Sequence, residues 1–314
     1  MSAENGILAR RSAWEAGERV EESRTGAFDG RERSGEAPRT ARENRNISAR
    51  LRGRGDEAGA MPAAFDPQAL NETLGEKNTP SRLTVRLAET PWDHLRAFHL
   101  VYAQYLPFGY ANERENQMRI SPWNLTGRSH TLIAERAGRV VGTLTCLEDG
   151  GEGLPADETY PERVRTLRAQ RGKLLEVSAL AISNDEAETT VVMELIRYLT
   201  TYSRQILRGS DWVITVNPRH VRFYEKAMLF ERQGAENECR SANGAPGVLL
   251  RLDLETMPER YAQKYGKRSG ARNLHDIFFE PTAAARRFAE LQAAAERRRL
   301  RWEVTRQALA LLQN

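Results

Sequence analysis

The chain has 314 residues, enough for one large domain with extensions or for two small ones, and 40% of them are apolar, as in an ordinary folded protein. A net charge of +4 is too mild to argue nucleic-acid binding by itself, and no run of 18 or more apolar residues is present to form a membrane-spanning helix. The two cysteines, Cys146 and Cys239, lack the spacing of a metal site or a disulfide framework, which predicts no bound metal and a reducing, cytoplasmic setting.

A mean hydropathy of −0.63 requires that polar residues be concentrated somewhere. They are concentrated at the start: residues 1–80 are rich in Arg, Glu, Gly, Ser and Ala without a sustained period, and read as a disordered tail. That stretch has no apolar core of a secretory leader, and Met61 is the expected start of translation. Order begins near Arg82, where Leu83, Val85 and Leu87 alternate with polar residues as in a half-buried strand. Pro91 then opens a helix with Leu95, Phe98 and Tyr102 on one face, and Pro107 and Gly109 end it. Tyr102, Tyr105, Phe108 and Tyr110 cluster around that end, either as packing or as the wall of a ligand site.

Residues 131–136 and 139–147 read as a hairpin turning at Ala137 and Gly138. An excursion follows whose second half is basic, with Arg163, Arg165, Arg168, Arg171 and Lys173; it is either a solvated face or a docking surface for an acidic partner. Residues 173–183, KLLEVSALAIS, then place one carboxylate in an apolar strand. Simple alternation puts Leu174, Glu176, Ser178, Leu180 and Ile182 on one face. A buried carboxylate is costly without partners, so Glu176 is either half of a core ion pair or a group kept for chemistry at a cleft.

A helix is expected over residues 187–208, closed by Gly209, then a strand over 212–216 and a helix opened by Pro218. A last strand over 248–252 completes an α/β layout around a central sheet, with residues 81–255 as its domain. Residues 256–314 read as a charged helical extension, in which 288–312 form an amphipathic helix with Arg297, Arg298, Arg299 and Arg301 on or near its polar side.

This order of elements, with the phrases LVYAQYLPFGY, GLPADETYPERVRTLRAQRGKLLEVSALA, NPRHVRFYEKAMLFERQG and GAPGVLLRLDL, resembles the GNAT acyltransferase superfamily. Within it the match looks closer to the long-chain N-acyl amino acid synthases, which are similar to acyl-homoserine lactone synthases. The second phrase is the most specific, since generic GNAT enzymes lack it. The resemblance covers about residues 95–254 and implies a mixed central sheet flanked by helices.

It also implies an activity: transfer of a long-chain acyl group from the phosphopantetheine arm of an acyl carrier protein to the α-amine of an amino acid, with no tightly bound cofactor. Glu176 matches the general base, acting through a water, and Tyr224 the phenol that protonates the leaving thiolate. Ser178 would position water or amine, and backbone amides near Val177 and Ala179 would polarise the thioester carbonyl from a bulged strand. Tyr102 and Tyr110 would wall the substrate, Asn217 and His220 would fix the loop before the helix at Pro218, and Arg163, Arg165, Arg168, Arg171, Arg219 and Arg222 would meet the carrier. His220 is also placed to titrate near neutrality.

One departure bears on the donor. Where coenzyme A-dependent relatives carry a glycine-rich pyrophosphate loop, this chain reads NDEAETTVV, with Asp185, Glu186 and Glu188 and no glycine. That favours a carrier protein over coenzyme A. An acyl-coenzyme A enzyme acting on another amine, and an acyl-ligand binding protein without turnover, remain the alternatives.

Overall fold

The computed structural model describes residues 82–312 apart from 185, 187, 271 and 272. The expected tail and the Met61 start lie outside the described residues. Strand β1 (Thr84–Leu87) leads to helix α1 (Pro91–Tyr105), which begins where the sequence signals it should. Thr90 accepts from the Asp93 amide at 3.2 Å, the Asp93 carboxylate accepts from the Thr90 amide at 3.1 Å, and Pro91 occupies the first turn. Strands β2 (Ser129–Arg136) and β3 (Arg139–Glu148) form the hairpin, with Ala137 and Gly138 both at positive φ, 51° and 76°. Two left-handed residues match the twist of the flanking strands.

The basic excursion folds as two short helices, α2 (Pro155–Thr159) and α3 (Pro161–Gln170). Then come β4 (Leu174–Ile182), α4 (Glu188–Thr201), β5 (Asp211–Val216) and α5 (Pro218–Lys226). Three further strands follow, β6 (Glu231–Arg232), β7 (Asn237–Cys239) and β8 (Ala245–Asp253); the first two are too short and polar to signal themselves in sequence. The sheet order is β1-β2-β3-β4-β5-β8-β6, with β7 paired to β8. Among the described strands only β4 and β5 pair in parallel.

Both sheet faces are covered. Leu132, Leu144, Leu175 and Ile214 pack with Val191, Leu195 and Leu199 of α4 on one side. On the other, Ile133, Val140 and Ala181 meet Ala97, Leu100 and Val101 of α1, while Leu147, Leu174 and Val213 meet Leu154, Val164 and Leu167 of α2 and α3. Gly142 lets α4 approach β3: a Cβ there would stand 2.5 Å from Val191 Cγ1.

Three expectations need correction. Strand β4 does not alternate throughout, because Thr145 faces Ser178 while Thr143 faces Ala181, leaving one extra residue in β4, with Ala179 at φ 53°. This bulge inverts the faces beyond it, so Ile182 joins Leu175 in the core under α4 instead of sharing the Glu176 side. The helix expected to run to Arg208 ends its α-helical part at Thr201 and continues as a π turn over Tyr202–Ile206. That wider turn accompanies two buried hydrogen bonds, Tyr202 hydroxyl with His130 Nδ1 at 2.9 Å and Trp212 Nε1 to Ser203 Oγ at 2.9 Å.

The third correction concerns Arg298, in the last of the helices that follow the sheet. Helices α6 (Met257–Tyr265), α7 (Leu274–Phe279) and α8 (Pro281–Ala310) send Met257, Tyr261, Phe278 and Leu291 into the same core as the strands. Arg298 is buried, donating to the Gly127 and Ser129 carbonyls, so it is not on the polar side of α8. Arg297 does face outward and holds Glu89 with two 2.7 Å hydrogen bonds. No helix among the described residues is long and apolar enough to cross a membrane.

Candidate active site

The pairing of β4 with β5 stops early. It holds Leu174, Leu175 and Glu176 against Asp211, Trp212 and Val213, and beyond that point the strands part while β5 stays paired to β8 as far as Val216. A cleft of about 380 Å³ opens there, lined by Glu176 to Leu180 from β4 and by Ile214 to Asn217 from β5 and its end. That volume is in the range of ligand pockets, ~300–1,000 Å³. Its wall is largely apolar, including Leu144, Ile196, Leu199, Trp212, Met228 and Phe230, and its rim carries the aromatics of the α1 end with arginines and asparagines.

Glu176 sits in this cleft at 3% exposure. Its described hydrogen bond is not to a cation: Oε2 accepts from the Ala156 amide, in the first turn of α2, at 2.8 Å. Among the described residues no Lys, Arg or His pairs with it, so the ion-pair alternative falls away. Burial drives its carboxyl up, to about 8; the Ala156 amide opposes this, and the nearby carboxylates of Asp157, Glu158 and Asp149 add to it. A carboxyl that exchanges its proton near neutral pH is suited to base catalysis.

The α2 segment that delivers Ala156 is itself braced. Arg168 binds Asp149 at 2.5 Å and also Asp157, and Asp157 accepts from the Leu154 amide at 2.8 Å. Val177, Ser178 and the bulge residue Ala179 line the same wall. Tyr224 of α5 also lines the cleft, packed edge-on against Phe230 with ring centroids 5.5 Å apart. Burial, with Tyr105 nearby, pushes its phenol well above the usual range, so it keeps its proton at neutral pH. The structure therefore brings Glu176, Ser178 and Tyr224 to one cavity.

Tyr102 and Tyr110 line it as well; Tyr102 accepts from the Arg114 amide at 3.3 Å, and Tyr110 from Asn217 Nδ2 at 3.2 Å. Asn217 also caps α5, accepting from the Arg219 amide at 3.2 Å. His220 is held by Arg219 Nε at 3.0 Å, and burial, with that guanidinium, lowers it to about 4. His220 is thus neutral at physiological pH, contrary to the expectation that it titrates there.

The six arginines separate into two groups. Arg163 is bound to Gln233, Arg168 to Asp149 and Asp157, and Arg171 to Asp211 and Asp253, all within the fold. Arg165, Arg219 and Arg222 are exposed; Arg165 pairs with Glu162, and Arg219 lies over Phe108 at the cleft mouth. In the β4–α4 connection, Glu186 is held by Arg136 at 3.0 Å, while Asp185 and the Glu188 side chain lie outside the described residues. Sequence reading missed Arg119 and the Ala156 amide as parts of the site. The alternation of apolar Met118, basic Arg119 and apolar Ile120 was the available signal for the first.

Among the described residues no group of three or more His, Cys, Asp or Glu could hold a metal ion. Comparison with curated proteins finds no match. The solved N-acyl amino acid synthase FeeM from uncultured soil microbes superposes with a TM-score of 0.51 at 23% identity, covering 58% of this chain and 95% of that one. The acyl-homoserine lactone synthase LasI matches at 21% identity over 55% of this chain and 91% of its own, with a TM-score of 0.43. The coenzyme A-dependent acyl-homoserine lactone synthase BjaI matches at 13% over 62% and 99%, with a TM-score of 0.45. The family model of the N-acyl amino acid synthase FeeM matches residues 96–253, half of the chain and the part that builds the sheet and cleft. The chain belongs to that family of N-acyl amino acid synthases, and so to the acyltransferases, and shares the fold of the solved FeeM.

Proposed function

We propose that this acyltransferase moves a long-chain fatty acyl group from an acyl carrier protein thioester to the α-amine of an amino acid. The observation that carries the reading is Glu176, which pairs with no cation among the described residues, inside a largely apolar cleft between two parting strands. The α-ammonium of a free amino acid is more basic than a peptide N-terminus, which titrates at ~8, so a carboxyl raised to about 8 takes its proton with a much smaller uphill step than an ordinary carboxylate would. Glu176, through a water that Ser178 orients, removes one proton from the ammonium. The free amine attacks the thioester carbonyl carbon, and amides at the Ala179 bulge hold the oxyanion. As the C–S bond breaks, the second proton of the attacking nitrogen leaves to solvent through the same water and Tyr224 gives its proton to the departing thiolate; Glu176 then releases its proton to solvent and Tyr224 regains one.

The apolar wall is suited to an alkyl chain. For the donor, the glycine-free β4–α4 connection disfavours a bound pyrophosphate, and Arg219 and Arg222 on the first turns of α5 offer free charge to an acidic carrier. Arg163, Arg168 and Arg171 serve the fold instead. One observation favours acyl-coenzyme A: the Arg136 partner of Glu186 weakens the repulsion expected of that connection.

Organic extracts of cells overproducing the protein, compared with a Glu176→Gln control by mass spectrometry, should contain N-acyl amino acids only with the unaltered enzyme. Purified enzyme should then turn over the matching acyl carrier protein thioester faster than the coenzyme A thioester. Equal or faster turnover of the latter would reassign the donor, and products that are not acylated amino acids would reassign the acceptor.

A further inference from the structure

An amino acid carries a carboxylate beside its amine, and nothing in the scheme above receives it. The cleft is lined by three arginines, Arg114, Arg119 and Arg219. Arg114 and Arg219 are exposed at the rim, and Arg219 already donates Nε to His220. Arg119 is different in three ways.

It is half-buried on a segment pinned by buried Met118 and Ile120, and its backbone amide donates to the Phe98 carbonyl of α1 at 3.3 Å. Its guanidinium lies 5.1 Å from the centre of the Tyr105 ring, and the Tyr105 hydroxyl donates to the Leu180 carbonyl of β4 at 3.3 Å, just past the bulge. Nη2 donates to the Ser241 carbonyl at 2.5 Å, while Nε and Nη1 have no acceptor among the described residues. The guanidinium is thus oriented from two sides with part of its donor edge free, and Glu176 is the one carboxylate among the cleft-lining residues.

A fixed guanidinium fork with unused donors is matched to a planar carboxylate, and a half-buried cation lacking a counter-ion is stabilised by receiving one. We propose that Arg119 receives the α-carboxylate of the acceptor amino acid, with Tyr105 and Ser241 holding its guanidinium in place. This rests on the acceptor being an amino acid. It makes Arg119 a specificity-determining residue: it separates amino acids from simple amines of the same side chain, while Glu176 treats both alike.

The test compares two acceptors. The proteinogenic amino acid turned over best in a screen of all twenty is paired with the amine left when its carboxylate is removed, using one acyl donor. The wild-type enzyme should prefer the amino acid by about tenfold to a hundredfold in kcat/KM, the worth of a charged hydrogen-bonded contact. In Arg119→Met the preference should collapse to within about threefold, through a raised KM for the amino acid with kcat largely regained at saturation. Arg119→Lys, which keeps the charge and loses the fork, should lie between, and carries the same comparison if Arg119→Met does not fold.

Equal loss toward acid and amine would assign Arg119 to structure alone and overturn the proposal, as would an unchanged preference or a wild-type enzyme indifferent to the carboxylate. A wild-type enzyme that acylates amines but none of the twenty amino acids would instead overturn the acceptor reading itself, and the Arg119 role with it.

Discussion

Glu176 shows how one carboxyl is tuned by what surrounds it. Because its folded value is raised from 4.5 to about 8, the folded state holds a proton that the unfolded state has released across that interval. Its contribution to stability is therefore full below pH 4.5 and is lost as pH rises toward about 8. Activity runs the other way, since the base form appears only as pH climbs through that value. The kcat/KM profile of the wild-type enzyme should rise with a midpoint near 8, and Glu176→Gln should lower turnover by about 10²-fold or more. Thermal melts should show the Gln variant gaining on wild type between pH 5 and pH 8.5; a constant difference would mean that Glu176 is ionised in the folded protein throughout. His94 and His130 work in the opposite sense. Burial holds them neutral, with values lowered to about 3 and about 4, so the stability they contribute is lost as pH falls from 6.5 through those values. Among the described residues His94 has no hydrogen-bond partner on either ring nitrogen, and it packs against Phe98 and Trp302. His94→Phe should flatten acid unfolding followed by circular dichroism between pH 6 and 4, whereas an unaltered curve would place the acid sensitivity elsewhere.

At the scale of elements, the site is made by two departures from regularity: the bulge at Ala179 and the early parting of β4 from β5. Helix α2 completes it by turning the Ala156 amide onto Glu176, and Arg168 keeps α2 there by neutralising Asp149 and Asp157. Arg168→Met leaves those two carboxylates facing Glu176 without their counter-ion. The midpoint of the kcat/KM profile should then move upward from its wild-type position; an unmoved midpoint would mean that the α2 carboxylates do not reach the base. The approach of α4 to β3 at Gly142 is a packing matter. Gly142→Ala puts a methyl 2.5 Å from Val191 and should destabilise by about 1–3 kcal/mol in urea melts, with little change in KM. These two variants separate an element that tunes chemistry from one that only supports it.

The whole molecule uses its last helices as part of the core. Leu291 of α8 is buried in the cluster that also contains Leu132, Leu195 and Trp212. Arg287, at 1% exposure, ties α8 to the Phe278 carbonyl at 2.7 Å and the Thr201 hydroxyl at 3.2 Å. Leu291→Ala should therefore cost about 2–5 kcal/mol of global stability by urea unfolding, the range for a buried leucine. A loss below about 0.5 kcal/mol would mean that α8 is a dispensable appendage.

The amino-acid sequence by itself determined the order of the main strands and helices, because alternation, helical spacing and the Pro and Gly stops are local properties of the chain. It also singled out Glu176, since a lone carboxylate in an apolar strand is anomalous wherever the strand lies. The structure removed the ion-pair alternative, because that depends on which side chains arrive from other elements, and among the described residues none that arrives at Glu176 is cationic. It decided which face Ile182 takes, because one extra residue in β4 is visible only against β3. It separated Arg163, Arg168 and Arg171, spent on acceptors within the fold, from Arg219 and Arg222, which are exposed and pair with no carboxylate among the described residues: in sequence all five are merely basic. Arg119 stayed hidden for the same reason. Its meaning lies in the Tyr105 ring beneath it and the Ser241 carbonyl beside it, 14 and 122 residues away along the chain, which only folding brings to one cleft.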